Sequence, residues 1–133
     1  MIIVKSPLRI SFFGGSTDYK SFYTEHGSFV IGATIDKYIW LSARYRPKIL
    51  AREHFIGYSK AETVSSINDI QNPLIRETLR HHGVREPIDF TSLADVPSRT
   101  GLGGSSSFCA GMVHLLHALD GKPVPKKHIA KKA

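Results

Sequence analysis

PSRTGLGGSSS, residues Pro97–Ser107, decides how the rest of the chain is read. Four of its residues are Ser and three are Gly, the composition of a flexible linker. A linker would end in more polar chain, but here the run FCAGMVHLLHAL follows at once. Phe108, Cys109, Met112, Val113, Leu115, Leu116 and Leu119 recur at helical spacing and predict a buried helix of about four turns. A loop anchored to such a helix is held rigid, so the hinge reading gives way to a cradle. The first N–H groups of a helix have no intrahelical partner and lie at the positive end of its dipole. Glycine lets that backbone approach a phosphate closely, and serine hydroxyls add donors or a metal ligand.

The common nucleotide loops do not fit. No Gly-Lys-Ser/Thr follows the glycines, which excludes a Walker loop. Gly101 and Gly103 are spaced for the start of a dinucleotide fingerprint, but Ser106 stands where its third glycine should be. The residues by themselves therefore specify a phosphate cradle and leave its type open.

Outward from the loop, IDFTSLA before it predicts a strand, and Gly121 after it stops the helix. Asn72-Pro73 predicts an N-cap with proline at the first helical position, for a helix with Leu74, Ile75 and Leu79 on one face that stops at Gly83. FVIGATI and KYIWLSARYR predict strands, HFIGYS a weaker one, and MIIVKSPLRISFF an extended segment that Pro7 confines to an edge or a bend. GGSTDYKSFYTEHG predicts a glycine turn, a cap at Ser16 or Thr17, and a short helix ending at Gly27. Pro125 opens a last helix, KKHIAKKA, which has two apolar residues and little to bury.

With 133 residues the chain suits one domain with a proper core. Its 18 basic and 11 acidic residues leave a net charge of +7, gathered in Arg44–Arg52 and in the tail. Such an excess attracts nucleic acid, anionic lipid or phosphorylated small molecules; equally, the balancing acidic residues belong to chain outside this sequence. No apolar segment approaches the ~20 residues that span a bilayer, and Lys5, Pro7 and Arg9 interrupt the apolar start, which argues against a signal peptide. The single cysteine, Cys109, cannot form an internal disulfide, fits a reducing cytoplasm, and reads as a small buried helix residue.

Pro97-Ser98-Arg99-Thr100-Gly101-Leu102-Gly103-Gly104-Ser105-Ser106-Ser107 resembles the Pro-x-x-x-Gly-Leu-Gly-Ser-Ser-Ala phosphate loop of the GHMP kinases. Ser6-Pro7-Leu8-Arg9-Ile10-Ser11-Phe12-Phe13-Gly14-Gly15-Ser16-Thr17-Asp18-Tyr19 resembles the first motif of that family's sugar-kinase branch, in the form found in bacterial D-glycero-D-manno-heptose 7-phosphate kinases. The two motifs stand in the right order, and the resemblance spans nearly the whole chain. It implies an α+β domain, a mostly antiparallel sheet with helices packed on one face, a fold shared with ribosomal-protein domains. It implies ATP and Mg²⁺ as cofactors and a sugar or sugar-phosphate hydroxyl as acceptor.

Carried over, Pro97–Ser107 would wrap the ATP phosphates, and Ser105 would meet Mg²⁺, with Ser106 as its rival because Gly104 shifts the pattern. Gly14, Gly15, Thr17 and Asp18 would form the sugar side, Asp18 holding hydroxyls, and Arg9 would lie near the transferred phosphate. Gly15-Ser16 replaces the Glu-His pair of galactokinase, which argues against galactose. Plainer roles compete: Asp18 as a helix cap, Arg9 as a surface ion-pair partner, Ser107 as a helix-start residue. His114 and His117 are three apart but lack a third metal ligand, and His81-His82 at a helix end is assigned no chemistry.

The resemblance further implies that the base aspartate, an acidic Mg²⁺ ligand and a C-terminal domain lie beyond these 133 residues. Asp120, followed by Gly121, is a poor substitute. Residues 1–133 are thus read as an incomplete N-terminal, ATP-binding domain of a cytoplasmic kinase, inactive alone. Two rival classes remain: a nucleic-acid module, since Lys37–Arg52 interleaves aromatic and basic residues, and a nucleotide-binding pseudoenzyme.

Overall fold

The structure, a computed structural model, describes residues 1–47, 49 and 52–133. Part of the basic stretch Arg44–Arg52 therefore lies outside the described residues. Five strands form one sheet: β1 (Ile2–Phe13), β2 (Ile31–Tyr45), β3 (His54–Gly57), β4 (Ala61–Val64) and β5 (Ile88–Ala94). Their order is β1-β2-β5-β3-β4, with every pairing antiparallel except β3 against β5. Helices α1 (Lys20–His26), α2 (Pro73–His82), α3 (Gly104–Leu119) and α4 (Lys126–Lys132) complete the α+β architecture, together with a 3-10 turn at Ile67–Asp69.

Alternation on β2 fixes the core face. Ile39, Leu41 and Ala43 are buried, while Tyr38, Trp40 and Ser42 face the other side and stay at least partly exposed. Ile88 and Phe90 of β5 extend the buried face, and Ile75 and Leu79 of α2 with Met112, Leu115 and Leu116 of α3 close over it. Each such side chain contributes roughly 1.5–3 kcal/mol by leaving water. Gly111 sets how closely α3 approaches: a Cβ there would stand 2.8 Å from Leu41 Cδ1 and 3.0 Å from Ser6 Cβ.

The caps of α2 form as expected. Asn72 Oδ1 accepts from the N–H groups of Leu74 and Ile75, Pro73 occupies the first turn, and Gly83 ends the helix at φ 79°. Three expectations are corrected. Most of FVIGATI and KYIWLSARYR forms one continuous strand, Ile31–Tyr45, because Asp36 between them makes no turn. Neither Ser16 nor Thr17 caps α1; the chain enters that helix at Tyr19 with no side-chain cap, and Thr17 closes the preceding turn instead. Cys109 is half-buried rather than buried. The short α4 buries only Ile129. Among the described residues, no helix is long and apolar enough to cross a membrane.

Candidate nucleotide-phosphate site

α3 starts where Gly103 takes a left-handed turn, φ 72°, ψ 25°, with no side-chain cap. The N–H of Ser107 is the first to close an intrahelical bond, to Gly103 O at 2.9 Å. The N–H groups of Gly104, Ser105 and Ser106 precede it and have no helical acceptor. Ahead of them Arg99 and Gly101 also take positive φ, 67° and 74°. Such a conformation is costly for an arginine and is the kind of local strain that gathers at functional loops.

Strand β1 lies directly against the loop. The Arg9 N–H donates to Leu102 O at 3.0 Å, and its guanidinium Nη1 donates to Ser11 Oγ. The Arg9 side chain lies against Gly103, where a Cβ would stand 2.9 Å from Arg9 Cγ and 3.2 Å from Nε. A side chain at position 103 would have to displace the arginine as well as adopt a left-handed backbone. The glycine and the cation are therefore one arrangement.

Between loop, β1 and α2 opens a pocket of about 600 Å³. Pro97, Ser98, Arg99, Thr100, Gly101, Gly103, Gly104, Ser105 and Ser106 line it, together with Arg9. Ile39, Leu74, Val96 and Phe108 add apolar lining. No carboxylate lines it, and two arginines do, so the field inside favours an anion. Ser105 and Ser106 are exposed at its edge. Ser107 is not part of the lining: its hydroxyl donates to Pro7 O at 2.8 Å. Leu102 is also turned away from it, packed against the core.

The residues expected on the sugar side stand elsewhere. Gly14 takes φ 78° and is pressed against the chain at Phe29, where a Cβ would come 1.9 Å from the carbonyl oxygen. Thr17 donates its hydroxyl to Gly14 O at 2.7 Å and lies 3.0 Å from Ser28 Oγ. Gly15 has open space around it, and Asp18 is exposed and does not cap α1. None of the four lines the pocket, so the structure joins Arg9 to the loop and leaves Gly14–Asp18 on a separate turn.

The histidines form a cluster at the far end of α3. His82 Nε2 lies 3.0 Å from Asp120 Oδ2, and Tyr45 donates its hydroxyl to Asp120 Oδ1 at 2.6 Å. His117 packs edge-on to His82 and His128, while His114 is exposed. Among the described residues, no group of three or more His, Cys, Asp or Glu is placed to hold a metal. Sequence reasoning missed the Ser6 and Pro7 contacts to α3 and the apolar lining of the pocket. The first had no local signal, because the partners lie 101 and 100 residues apart.

Comparison with known proteins agrees with this fold. The family model for the GHMP kinases N terminal domain matches residues 68–133, which include the loop and α3. The chain is 27% identical, over 146 aligned positions, to D-glycero-alpha-D-manno-heptose 7-phosphate kinase of Campylobacter jejuni, covering 99% of this chain and 42% of that one. Among solved structures it superposes on a D-glycero-D-manno-heptose 1-phosphate kinase from Bacteroides thetaiotaomicron with a TM-score of 0.82 at 17% identity, over 98% of this chain and 46% of that chain. Phosphomevalonate kinase from Streptococcus pneumoniae, solved with phosphomevalonate and AMPPNP, gives 0.72 at 20% identity, over 98% and 40%. The chain spans less than half the length of these relatives. Motif, fold and relatives point the same way: the chain resembles the GHMP kinases along nearly its whole length, with their N-terminal domain model matched over residues 68–133 and the fold of their N-terminal part.

Proposed function

We propose that this chain is the nucleotide half of an ATP-dependent sugar kinase, with a heptose 7-phosphate-like acceptor. The observation that carries the reading is the pocket itself. Helix N–H groups without a helical acceptor, two arginines and exposed serine hydroxyls line it together with the apolar side chains of Ile39, Leu74, Val96 and Phe108. A nucleotide has the same polarity, a polyanion joined to a flat apolar base. The curated relative's name favours a heptose phosphate as acceptor.

In this reading Pro97–Ser106 wrap the phosphates through backbone donors, and Arg9 neutralises charge near the group that is transferred. Asp18, exposed on its turn, accepts hydrogen bonds from sugar hydroxyls. Magnesium, when bound with ATP, neutralises charge between the phosphate oxygens. On this chain Ser105 or Ser106 would offer it a hydroxyl, and among the described residues no carboxylate lines the pocket beside them. A base and an acidic ligand then come from a C-terminal domain outside these 133 residues.

The nucleic-acid reading gains no comparable support. Arg44 and Arg46 both pair with Asp89, at 2.7 and 2.9 Å, and Lys5 lies 3.6 Å over the Tyr38 ring. These cations are already engaged within the domain.

The test is titration of ATP with and without Mg²⁺, followed by transfer of labelled γ-phosphate to heptose 7-phosphate, hexose and fucose acceptors. The 133-residue chain is expected to bind ATP weakly and to transfer nothing above background. Joined to the second domain, it is expected to phosphorylate the heptose phosphate best. Absence of ATP binding would remove the nucleotide reading, and robust turnover by this chain alone would remove the two-domain division of labour.

A further inference from the structure

We infer that Ser6 and Ser107 are positioning residues, a reciprocal hydroxyl pair that holds the phosphate loop in register with Arg9; the inference rests on the nucleotide reading above. Ser6 Oγ donates to Ser107 O at 2.8 Å, and Ser107 Oγ donates to Pro7 O at 2.8 Å. The two bonds run in opposite directions between the same strand and the same helix turn. Ser6 has been given no ligand, and Ser107, expected from the sequence among the phosphate-binding residues, lies outside the pocket lining.

The location gives the pair its meaning. Ser107 is the residue at which α3 closes its first hydrogen bond, directly behind the free N–H groups of Gly104, Ser105 and Ser106. Fixing the helix at that residue fixes the direction in which those donors point. On the strand side, Ser6 and Pro7 are followed by Leu8, which is buried, and then by Arg9. Four consecutive residues thus supply a hydroxyl donor, a carbonyl acceptor, a core anchor and the site's cation.

Two further features show that the contact is built in. The pairing of β1 with β2 shifts register between Pro7 and Arg9, and the Arg9 N–H bonds Leu102 O, forming a third link to the same loop. Gly111, one helical turn beyond Ser107, allows the close approach to Ser6 that both hydroxyl bonds need. Ser6 itself is buried, where a hydroxyl without a partner is disfavoured. Phosphoryl transfer depends on placing donors and cation to a fraction of an ångström. A pair of hydroxyls that sets the distance between the two serves that requirement without touching the ligand.

The experiment uses the 133-residue chain with Ser6→Ala, Ser107→Ala, the double variant and Ser107→Thr. Affinities for ATP and for adenosine, which lacks phosphates, are measured by NMR titration, with amide exchange at Leu102–Ser106. Ser107→Ala is expected to weaken ATP about tenfold, on the scale of one net hydrogen bond. It should leave adenosine unchanged and speed exchange of the loop amides. Ser107→Thr, which keeps a hydroxyl, should restore both readouts, and the two alanine changes should be non-additive. Equal ATP affinity in Ser107→Ala and wild type would overturn the inference, as would parallel losses for ATP and adenosine, which indicate general destabilisation. Failure of the wild-type chain to bind ATP overturns the nucleotide reading itself, and the positioning role falls with it.

Discussion

The two ends of β1 meet opposite surroundings. From Ser6 to Arg9 the strand is bonded to α3 and its loop at three points, and Leu8 is sealed in the core. From Ile10 to Phe13 it runs beside Ile31–Ala33 of β2 into water. Phe12 is 58% exposed, Phe13 69% and Phe29 75%, and α1 buries no residue at all. Both ends carry motifs that the sequence displays equally well. The phosphate end is built from this chain's own contacts. The end assigned to the sugar is held by one turn, at Gly14, Thr17 and Ser28, and leaves its aromatic residues uncovered.

If the ends are independent, each can be broken without the other. The largest effect is expected from Gly14→Ala, whose Cβ would fall 1.9 Å from Phe29 O in a backbone at φ 78°. The cost should be on the order of 3 kcal/mol, concentrated in the turn and α1. ATP affinity should stay within about twofold of wild type, a change too small to count as one net hydrogen bond. Amide exchange over 14–30 beside an ATP titration would check this, and a joint loss would show that the ends are coupled.

Gly103→Val is the converse. It forces a β-branched residue into a left-handed backbone against Arg9. ATP affinity should fall roughly 100-fold, while exchange at 14–30 stays as in wild type.

The smallest effect concerns the far end of α3 and leaves both ends of β1 untouched. Burial pushes the His117 imidazole below its usual value, helped by His82, Lys132 and His128 and opposed by Asp120. Burial also lowers His54. Below the ordinary imidazole value of about 6.5 the unfolded chain takes up protons that the folded chain refuses. These histidines therefore contribute stability that is present above that pH and is lost as pH falls toward their folded values. Melting temperature followed from pH 8 to pH 5 should be flat and then decline, with a shallower decline in His117→Gln. A parallel decline in that variant would remove His117 as a source.

Much of this architecture is legible in one sequence because its signals are local. Asn72-Pro73 and Gly83 bracket α2 through their own backbone chemistry, and the glycine-serine loop before an apolar run announces α3. Strand β4 escaped notice: AETV is four residues with two polar ones, too short to show a period. The cap expected at Ser16 or Thr17 failed for a related reason. A hydroxyl near a helix start can serve the turn before it as readily as the helix, and Thr17 serves Gly14. The pocket's outline could be read from Pro97–Ser107, but its apolar lining could not. Ile39, Leu74 and Phe108 reach it from β2, α2 and α3, whose mutual packing no local pattern specifies.

The bonds between β1 and α3 also bear on how the molecule comes into being. They join positions 101 and 100 residues apart, so the second wall of the pocket cannot form until most of the chain has been made. Closing a loop of that length carries an entropic cost that only later contacts offset, and folds dominated by distant pairings assemble slowly. During synthesis β1 emerges first and waits longest, an edge strand with apolar residues and no helix over it. Lys5, Pro7 and Arg9 fall within that strand, the charges and the proline that discourage edge-to-edge association in a nascent chain.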